Sequence, residues 1–413
     1  MRQLTGKKAA AQVVALANRV GRLDSVEPVV RKIVTDVRRN GDPALRKYAK
    51  RWDGLGLRQP VRVSEEDLRA ALKSVAPDLV AALRQAAANI RRFAQWQMPK
   101  AWMRGYGGVR TGQIVRPLRS VGCYVPGGRY PLPSTLLMTV IPAQVAGVER
   151  ICVVSPQPQP ETLAAAALLG VKEFYRVGGA QAVAALAYGT ESVAAVNKIV
   201  GPGNLFVTAA KKMVAFDCGI DFLAGPTEAL VVAHTGRADY IASDLVAQAE
   251  HDPEAVCIFI TASAALSHNV KRDVALQSKG NPIAQESLNN NGVILVASSS
   301  QQAMEWANRI ACEHLTVEEG DLPLVRDAGS VFASPYSAQA AGDYIAGPNH
   351  VLPTAGVARS RGGLTVLDFV KVITVQQLSR QGIRRLGPAA VRLAEAEGLS
   401  AHAASLRVRM GHA

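Results

Sequence analysis

The run RSVGCYVPGG at residues 119–128, followed by LPSTLLMTVIPAQVAGV at 132–148, contains the pattern that decides the fold. A short apolar run ends in glycine and is followed at once by an apolar run of helical length. The pattern returns in RICVVSP with PETLAAAALLG (150–170) and in EFYRVGG with AQAVAALAYG (173–189). Because strands alternate with helices, this segment predicts a parallel, doubly wound sheet.

A second series repeats the pattern further along the chain. EALVVAH and ADYIASDLVAQAEHD lie within residues 228–252, AVCIFIT spans 255–261, and GVILVAS with SSQQAMEWANRIA spans 292–311. The fold class predicted is therefore α/β, with two Rossmann-like doubly wound parallel-sheet domains.

The flanking regions have helical periodicity instead, at residues 8 to about 98 and after about 380. The last segment is too short to hold a core of its own, so we expect it to dock on this chain or on a partner. The predicted domains are a helical N-terminal lobe packing on the core, two Rossmann-like domains and a helical C-terminal tail, at 1–104, 105–224, 225–379 and 380–413.

Composition describes a globular chain with an uneven charge distribution. Of 413 residues, 48% are hydrophobic and 19% are charged, and the formal net charge is +14. Residues 1–120 hold 25 Lys and Arg against nine Asp and Glu, whereas residues 121–413 hold 22 against 24. The basic excess is thus N-terminal, where it could attract nucleic acid, an anionic membrane or an anionic small molecule. Because acids and alanines are interspersed at helical spacing, a solvated helical surface is the favoured interpretation.

The cysteines and the N-terminus indicate the compartment. Five cysteines lie far apart, mostly inside apolar strand-like runs, which is typical of buried free thiols in a reducing environment. The first residues lack an apolar signal region, and no window of about 18 uninterrupted apolar residues occurs. The sequence has no recognised nucleic-acid module and only 5% aromatic residues. We expect a soluble, cytoplasmic protein that binds neither nucleic acid nor membrane.

Glycine turns follow several of the predicted strands, although no GxGxxG motif opens any strand-helix unit. They are YVPGGR (124–129), VGGAQ (177–181) and GPGN (201–204). Glycines at the carboxyl ends of parallel strands let backbone amides approach a ligand, and helix N-termini there favour anions. Each turn is also consistent with plain turn geometry. Their recurrence in one domain favours a ligand site.

DLVAQAEHD, residues 244–252, gathers proton- and metal-binding groups at a helix end. Gln248 and His251 are three residues apart and share a helix face, whereas Glu250 points elsewhere. A same-face pair can hold one ion, but it supplies half of a four-ligand site. Spacing alone favours a hydrogen-bonded helix end over a metal site.

Other histidines also have polar neighbours. Glu313 and His314, in ACEHLTV on an expected turn after a helix, supply a carboxylate and a base for proton transfer, or else form a surface pair. Asp343 and His350 flank the loop segment Gly347, Pro348 and Asn349, which is typical of a positioned binding loop. His402 lies in EGLSAH near the C-terminus.

These segments, taken in order, resemble the histidinol dehydrogenase family over residues 20 to 410. The motifs that carry the resemblance are YVPGGRYPLPSTLLM, VGGAQAVAALAYG, GPGNLFVTAAKK, AGPTEALVVA, DLVAQAEHD, EHLTV, GDYIAGPNHVLPT and EGLSAH. The resemblance implies a zinc-dependent, NAD-linked, four-electron oxidation of L-histidinol to L-histidine through the bound aldehyde, in the last step of histidine biosynthesis.

The resemblance also implies one zinc ion per subunit and a homodimer with shared active sites. The implied zinc ligands are Gln248, His251, Asp343 and His402. In that family the C-terminal tail completes the neighbour's site, which would explain why a tail without a core carries a zinc ligand. Zinc and NAD⁺ are therefore the expected cofactors, with NAD⁺ on the first Rossmann-like domain and zinc on the second.

Roles for further residues follow from the same resemblance. His314 would be the general base for the alcohol proton, and Glu313 would activate the water that adds to the aldehyde. The implied substrate contacts are Thr227, Gln248, His251, His314, Asp343, His350, Glu397 and His402. The implied NAD contacts are Tyr124, Gln181 and Asn204.

The sequence departs from the family pattern at two positions beside these groups. Cys312 stands where the family commonly has Pro, which restores a backbone N–H next to the catalytic pair. Thr227 stands where many members have Ser, and its methyl group would narrow the substrate pocket. An alternative therefore stays open, in which a paralogous zinc and NAD dehydrogenase oxidises another small amino or sulfonated alcohol.

Overall fold

The computed structural model describes residues 1–19, 23–56, 58–127 and 130–411. Its strands in chain order are β1 Arg2–Thr5, β2 Trp102–Tyr106, β3 Val109–Pro117, β4 Ser120–Tyr124, β5 Arg150–Val154, β6 Glu173–Tyr175, β7 Lys198–Val200, β8 Gly219–Ile220, β9 Glu228–Val232, β10 Val256–Thr261, β11 Val293–Val296, β12 Cys312–Val317, β13 Ala328–Ala333 and β14 Val370–Leu378.

The α-helices occupy the segments between and around these strands. They are α1 Gly6–Ala17, α2 Glu27–Trp52, α3 Glu65–Ser74, α4 Pro77–Trp96, α5 Pro133–Ala146, α6 Pro160–Leu168, α7 Gly179–Tyr188, α8 Leu205–Val214, α9 Ala238–Ala249, α10 Ala264–Gln277, α11 Pro282–Asn290, α12 Ser300–Ile310, α13 Gln339–Tyr344, α14 Arg380–Ala396 and α15 Ser400–Met410. Helix α2 is broken at Gly41, which has φ +53°.

Two parallel sheets confirm the predicted doubly wound fold. The first has the order β6-β5-β4-β7-β8 and the second has the order β1-β11-β10-β9-β12-β13, and every paired neighbour in both runs parallel. In each, the chain winds outward from a central strand in one direction and then in the other, as in Rossmann-like folds. The direction reverses between β4 and β7 in the first sheet and between β9 and β12 in the second.

The opening segment of the prediction lies at the centre of the first sheet. Strand β4 is buried throughout, and its helix α5 buries residues on every side. A helix that packs all round has no polar face, which explains why LPSTLLMTVIPAQVA lacks a 3.6-residue alternation. The five cysteines are free and buried, as the sequence predicts.

The structure divides into two compact units: residues 1–97 with 119–369, and residues 98–118 with 370–413. The first unit contains both parallel sheets. The second contains an antiparallel sheet, β14-β3-β2, and helices α14 and α15. The sequence pattern indicates neither this sheet nor β1, which joins the edge of the second parallel sheet. Among the described residues, no helix is both long and apolar enough to cross a membrane.

Candidate active site

The amino ends of β9 and β12 bring the predicted acid-base residues together. The two strands are parallel neighbours, with His314 opposite Ala229. Thr227 precedes β9, and Glu313 with His314 follows Cys312 at the start of β12. The sequence prediction put the Glu-His pair on a turn. That prediction was wrong in detail, because the change of direction is confined to Ala311, with φ +54°, and the pair already lies in the strand.

The Glu313 carboxylate is buried and held from one side by two donors. The Thr227 hydroxyl lies 2.7 Å from Oε2, and the Glu228 N–H donates to the same oxygen at 2.8 Å. Only 7% of the Glu313 residue surface is exposed. The side chain is therefore fixed in one orientation by groups on β9 and the residue before it.

His314 lies between two carboxylates. Its Nδ1 is 3.3 Å from the Glu228 carbonyl oxygen, which can only accept, so this contact requires a proton on Nδ1. Its Nε2 lies 3.3 Å from Asp343 Oδ1, and the ring stacks on Phe332 with centroids 6.0 Å apart. Burial lowers the pKa of His314, but the charges and hydrogen bonds of Glu313 and Asp343 outweigh it and raise the pKa to about 10. In this arrangement His314 is protonated at neutral pH.

Two of the predicted metal ligands, Gln248 and Asp343 of helix α13, are in direct contact. Gln248, buried at the end of α9, donates from Nε2 to Asp343 Oδ2 at 3.2 Å. Its Oε1 lies 3.4 Å from the Thr227 hydroxyl. Burial opposes ionisation of Asp343, but the hydrogen bond and charge of His314 outweigh burial and lower its pKa. His251 is exposed, just beyond the helix end.

His350 is held behind Asp343. Its Nδ1 donates to the Asp343 carbonyl oxygen at 2.7 Å, and its Nε2 lies 3.1 Å from the Thr135 hydroxyl. Since the carbonyl can only accept, Nδ1 carries the proton and Nε2 is free to accept from Thr135. Burial lowers the pKa of His350, which agrees with a neutral ring. His350 thus fixes the backbone that presents Asp343.

A cavity of about 320 Å³ opens beside this cluster. His314, Asp343 and His350 contribute its polar wall, and Phe332 and Leu352 contribute part of its apolar wall. An apolar pocket with a few convergent polar groups is the usual form of a small-molecule site. Its size and lining suit a small polar substrate with an apolar ring or chain.

The donor types around Asp343 fit a zinc ion. An imidazole nitrogen and a carboxylate oxygen are ligands that zinc prefers. The Gln248 amide, whose Nε2 faces Asp343 in this structure, would have to present its Oε1 to the metal instead. Across 1–19, 23–56, 58–127 and 130–411, no three His, Cys, Asp or Glu side chains form a group able to hold a metal. A metal centre in the first unit therefore depends on the amide of Gln248, together with His251 and Asp343.

Two predicted site residues belong to the second unit. Glu397 caps the carboxyl end of α14, and His402 lies in the first turn of α15. Both side chains are exposed. The first unit by itself thus brings together Thr227, Gln248, Glu313, His314, Asp343 and His350, and it contributes three of the four predicted zinc ligands.

The predicted NAD residues lie at the carboxyl ends of the first sheet, where the glycine turns meet. The Gly179 N–H donates to the buried Tyr124 hydroxyl at 2.9 Å. Gln181 donates from Nε2 to Asp53 at 3.0 Å, and Asn204 Oδ1 caps α8. Each residue therefore has a structural role in the protein alone. Gly128 and Arg129, at the end of the first turn, lie outside the described residues.

Close backbone packing explains the glycines of these turns. A Cβ on Gly127 would lie 2.0 Å from the Pro156 carbonyl oxygen, and one on Gly201 would lie 2.2 Å from that of Tyr124. Gly201 also has φ +113°, a conformation that favours glycine. The turns pack on one another, so their glycines have a structural cause independent of any ligand.

Two buried carboxylates that the sequence analysis did not single out hold these turns. Asp53 accepts from the Gly178 N–H at 3.0 Å, and Asp221 accepts from the Gly201 N–H at 2.8 Å. Asp221 also pairs with Lys211, whose Nζ donates to the Gly201 carbonyl at 3.0 Å. For Asp221 the signal is a charged residue inside the otherwise apolar run GIDFLAG, because buried charges need partners. Asp53, in KRWDG, follows two basic residues and has no such signal.

Glu228 and Arg19 were also missed, although they adjoin the acid-base pair. Glu228 begins the apolar strand EALVV, and its two carboxylate oxygens accept from Nε and Nη2 of Arg19. The same signal, a charge at the start of an apolar strand, marks this position.

A doubly wound α/β core with a buried acid-imidazole cluster beside a small cavity defines the protein as an α/β enzyme. The histidinol dehydrogenase family model matches residues 17–410. The chain is 47% identical over 403 residues to histidinol dehydrogenase of Methanothermobacter thermautotrophicus, covering 94% of each chain. It is 46% identical over 402 residues to that of Gluconobacter oxydans, covering 94% of this chain and 93% of the relative.

A solved structure is similar over the same extent. The histidinol dehydrogenase of Elizabethkingia anophelis superposes with a TM-score of 0.94 at 34% identity, covering 100% of this chain and 98% of that one. The chain therefore belongs to the histidinol dehydrogenase family, and it is an oxidoreductase of that family.

Proposed function

We propose that the chain catalyses the zinc-dependent, NAD-linked, four-electron oxidation of L-histidinol to L-histidine through bound L-histidinal, the last step of histidine biosynthesis. The observation that carries the proposal is a continuous line of contacts. It runs from Glu313 to Thr227, Gln248, Asp343 and His314. This line joins the proposed acid-base residues to the proposed metal ligands, and it reaches the wall of the cavity at His314 and Asp343.

Gln248, His251 and Asp343 would hold the zinc ion, with His402 as the fourth ligand. Zinc, when bound, would grip the amine and imidazole nitrogens of histidinol and offset the negative charge of Asp343. His314 is protonated while that charge stands, so the offset is what would leave its Nε2 able to accept a proton. Thr227 and His350 would line the substrate's position.

The chain's own residues would then move two protons. His314 would take the hydroxyl proton of histidinol at Nε2 during the first oxidation, with its ring held by the Glu228 carbonyl and Phe332. Glu313 would take a proton from the water that adds to the aldehyde, with its carboxylate aimed by Thr227 and the Glu228 N–H. NAD⁺, when bound beside Tyr124, Gln181 and Asn204, would accept a hydride in each oxidation.

We also propose a cytoplasmic homodimer in which Glu397 and His402 reach the partner's site. Two features support it. The first unit contributes three of the four ligands, and the second unit has large apolar side chains in the open, with Leu393 66% and Val408 67% exposed. Such side chains would be covered if this unit packs against a second subunit.

The test is the yield of NADH from protein loaded with zinc. We expect two NADH per L-histidinol consumed, and none from protein stripped of metal by a chelator. Other small amino and sulfonated alcohols serve as parallel substrates. Zinc-loaded protein that forms no NADH from L-histidinol, or that oxidises one of the other alcohols with a higher kcat/KM, would contradict the proposal.

A further inference from the structure

Arg19 and Glu228 form a buried ion pair directly behind the acid-base residues. Nε and Nη2 of Arg19 each lie 2.5 Å from one carboxylate oxygen of Glu228, a bidentate geometry. The side chains are 16% and 4% exposed. Arg19 also donates to the carbonyls of Leu16, Ile310 and Ala311, so it joins the end of α1 to the turn between α12 and β12.

Glu228 contacts both acid-base residues through its backbone and its side chain. Its N–H donates to Glu313 Oε2 at 2.8 Å, and its carbonyl accepts from His314 Nδ1 at 3.3 Å. Its carboxylate accepts from the Glu313 N–H at 3.3 Å and from the Ala355 N–H at 2.9 Å. The backbone N–H and carbonyl of one residue therefore set the direction of the Glu313 carboxylate and hold a proton on His314 Nδ1.

We propose that Glu228, clamped by Arg19, is the positioning residue that sets Glu313 and His314 in their working geometry. This inference rests on the proposed roles of those two residues. Glu228 does not touch the cavity, so it acts through the hydrogen bonds of its peptide and carboxylate. Arg19 supplies the counter-charge that keeps a second carboxylate beside Glu313 without repulsion between them.

The charges around Arg19 explain why the pair acts as a unit. Burial lowers the pKa of Arg19, but the hydrogen bond and charge of Glu228, with a contribution from Glu313, outweigh burial and raise it. If Glu228 loses its charge, Glu313 is the remaining carboxylate near the cation. The Arg19 guanidinium would then attract the catalytic carboxylate away from Thr227 and the Glu228 N–H.

The test separates turnover from binding and from stability. Glu228→Gln keeps the shape and removes the charge, and Arg19→Lys keeps the charge but cannot bind both oxygens of Glu228 in parallel. We expect kcat to fall about 10- to 100-fold for Glu228→Gln and less for Arg19→Lys, because small displacements of catalytic groups cost rate. KM for L-histidinol and NAD⁺ should stay within about twofold, since neither residue is among those that line the cavity or among the proposed NAD contacts.

A matched ion pair elsewhere supplies the control. Arg150 pairs with Glu173 at 3.2 Å and also donates to the carbonyls of Ala194 and Ala195, as Arg19 does with its own carbonyls. Arg150→Lys and Glu173→Gln should lower the thermal midpoint and leave kcat unchanged. All variants are assayed at least 10 °C below their own midpoints, so that loss of folded protein does not count as loss of kcat.

The double variant Arg19→Met with Glu228→Gln removes both charges and so leaves no unpaired ion in the interior. It carries the test if Glu228→Gln alone does not fold. Its kcat should still fall, because the clamp on the Glu313 N–H is lost, but less than in Glu228→Gln, because no cation remains to attract the Glu313 carboxylate, and its thermal midpoint should recover. An unchanged kcat in folded Arg19→Lys and in the double variant would overturn the positioning role. Glu313→Gln is measured alongside: if it too keeps kcat, the proposed function of the pair fails, and if it alone loses kcat, only the positioning role fails.

Discussion

The two parallel sheets have the same winding, but their polar clusters lie at opposite ends of the strands: the carboxyl edge in the first sheet and the amino edge in the second. In the first sheet the glycine turns and their carboxylates, Asp53 and Asp221, lie at the carboxyl ends of the strands. In the second sheet Thr227, Glu313 and His314 lie at the amino ends of β9 and β12. Ligands of open parallel sheets usually bind at the carboxyl ends, next to the point where the winding reverses. The site proposed on the second sheet would depart from that rule.

At the carboxyl edge of the second sheet, a side chain of the protein binds the backbone N–H groups. Glu318, just after β12, accepts from the N–H groups of His234 and Thr235 at 2.8 and 2.9 Å. A carboxylate thus occupies the crevice where a ligand would bind by the usual rule. Under the proposed function, the second sheet would use the amino edge, where the buried hydrogen bonds of Glu313 lie.

The largest expected effect concerns the amino edge. Glu313→Gln and His314→Asn should each lower kcat by a factor of about 10² to 10⁴, the usual contribution of a general acid or base. The measurement is steady-state NADH formation with zinc-loaded protein. Both substitutions keep the approximate volume of the side chain, so the thermal midpoint should change much less than the rate does.

Glu318→Gln is the matched control at the opposite edge of the same sheet. Its hydrogen bonds from His234 and Thr235 weaken when the charge is removed, so stability should fall, while kcat stays within about twofold. If Glu318→Gln lowers kcat as much as Glu313→Gln does, the distinction between the two edges is wrong.

The sequence predicts the sheets well because strand and helix alternate in both series. It does not predict β1, since RQLT is too short for an alternating pattern and runs directly into helix α1. It also misses the antiparallel strands β2, β3 and β14, because their mostly exposed residues lack the buried apolar runs of the parallel sheets.

The candidate site could be predicted from the sequence only in part. Spacing puts Gln248 and His251 at one helix end, but Asp343 lies 95 residues from Gln248, and no local pattern joins the two. The resemblance to a family supplied that connection. The pairing of Arg19 with Glu228 is visible only in the folded structure, since 209 residues separate the two partners.

The next largest effect concerns the packed turns of the first sheet. Gly201→Ala combines a φ of +113° with a Cβ only 2.2 Å from the Tyr124 carbonyl oxygen, so the backbone must move. We expect a loss of roughly 3 kcal/mol in the free energy of unfolding, together with a higher KM for NAD⁺. Gly280→Ala is the control, because φ is +82° and no atom lies within 4 Å of the added Cβ. It should cost only about 1 kcal/mol of backbone strain.

The smallest effect concerns a hydrogen bond between the two helices that carry Gln248 and Asp343. Asp244, on α9, accepts from the Gln339 N–H at 3.2 Å and so ties α9, which carries Gln248, to α13, which carries Asp343. Unlike Asp53, Asp221 and Glu228, this carboxylate has that single described hydrogen bond, and burial raises its pKa to about 6.

The sign of the pH dependence follows from this raised pKa. Between pH 4 and 6 the folded state keeps a proton that the unfolded state has already lost, so stability falls as pH rises through this range and stays lower above it. Asp244→Asn removes the charge and keeps an acceptor for Gln339. From urea unfolding, the free energy of unfolding of the variant should exceed that of the parent by more at pH 8 than at pH 5. The two excesses should differ by roughly 1 kcal/mol, a modest value because the carboxyl is partly solvated. Equal differences at the two pH values would mean that folding does not raise the pKa of Asp244.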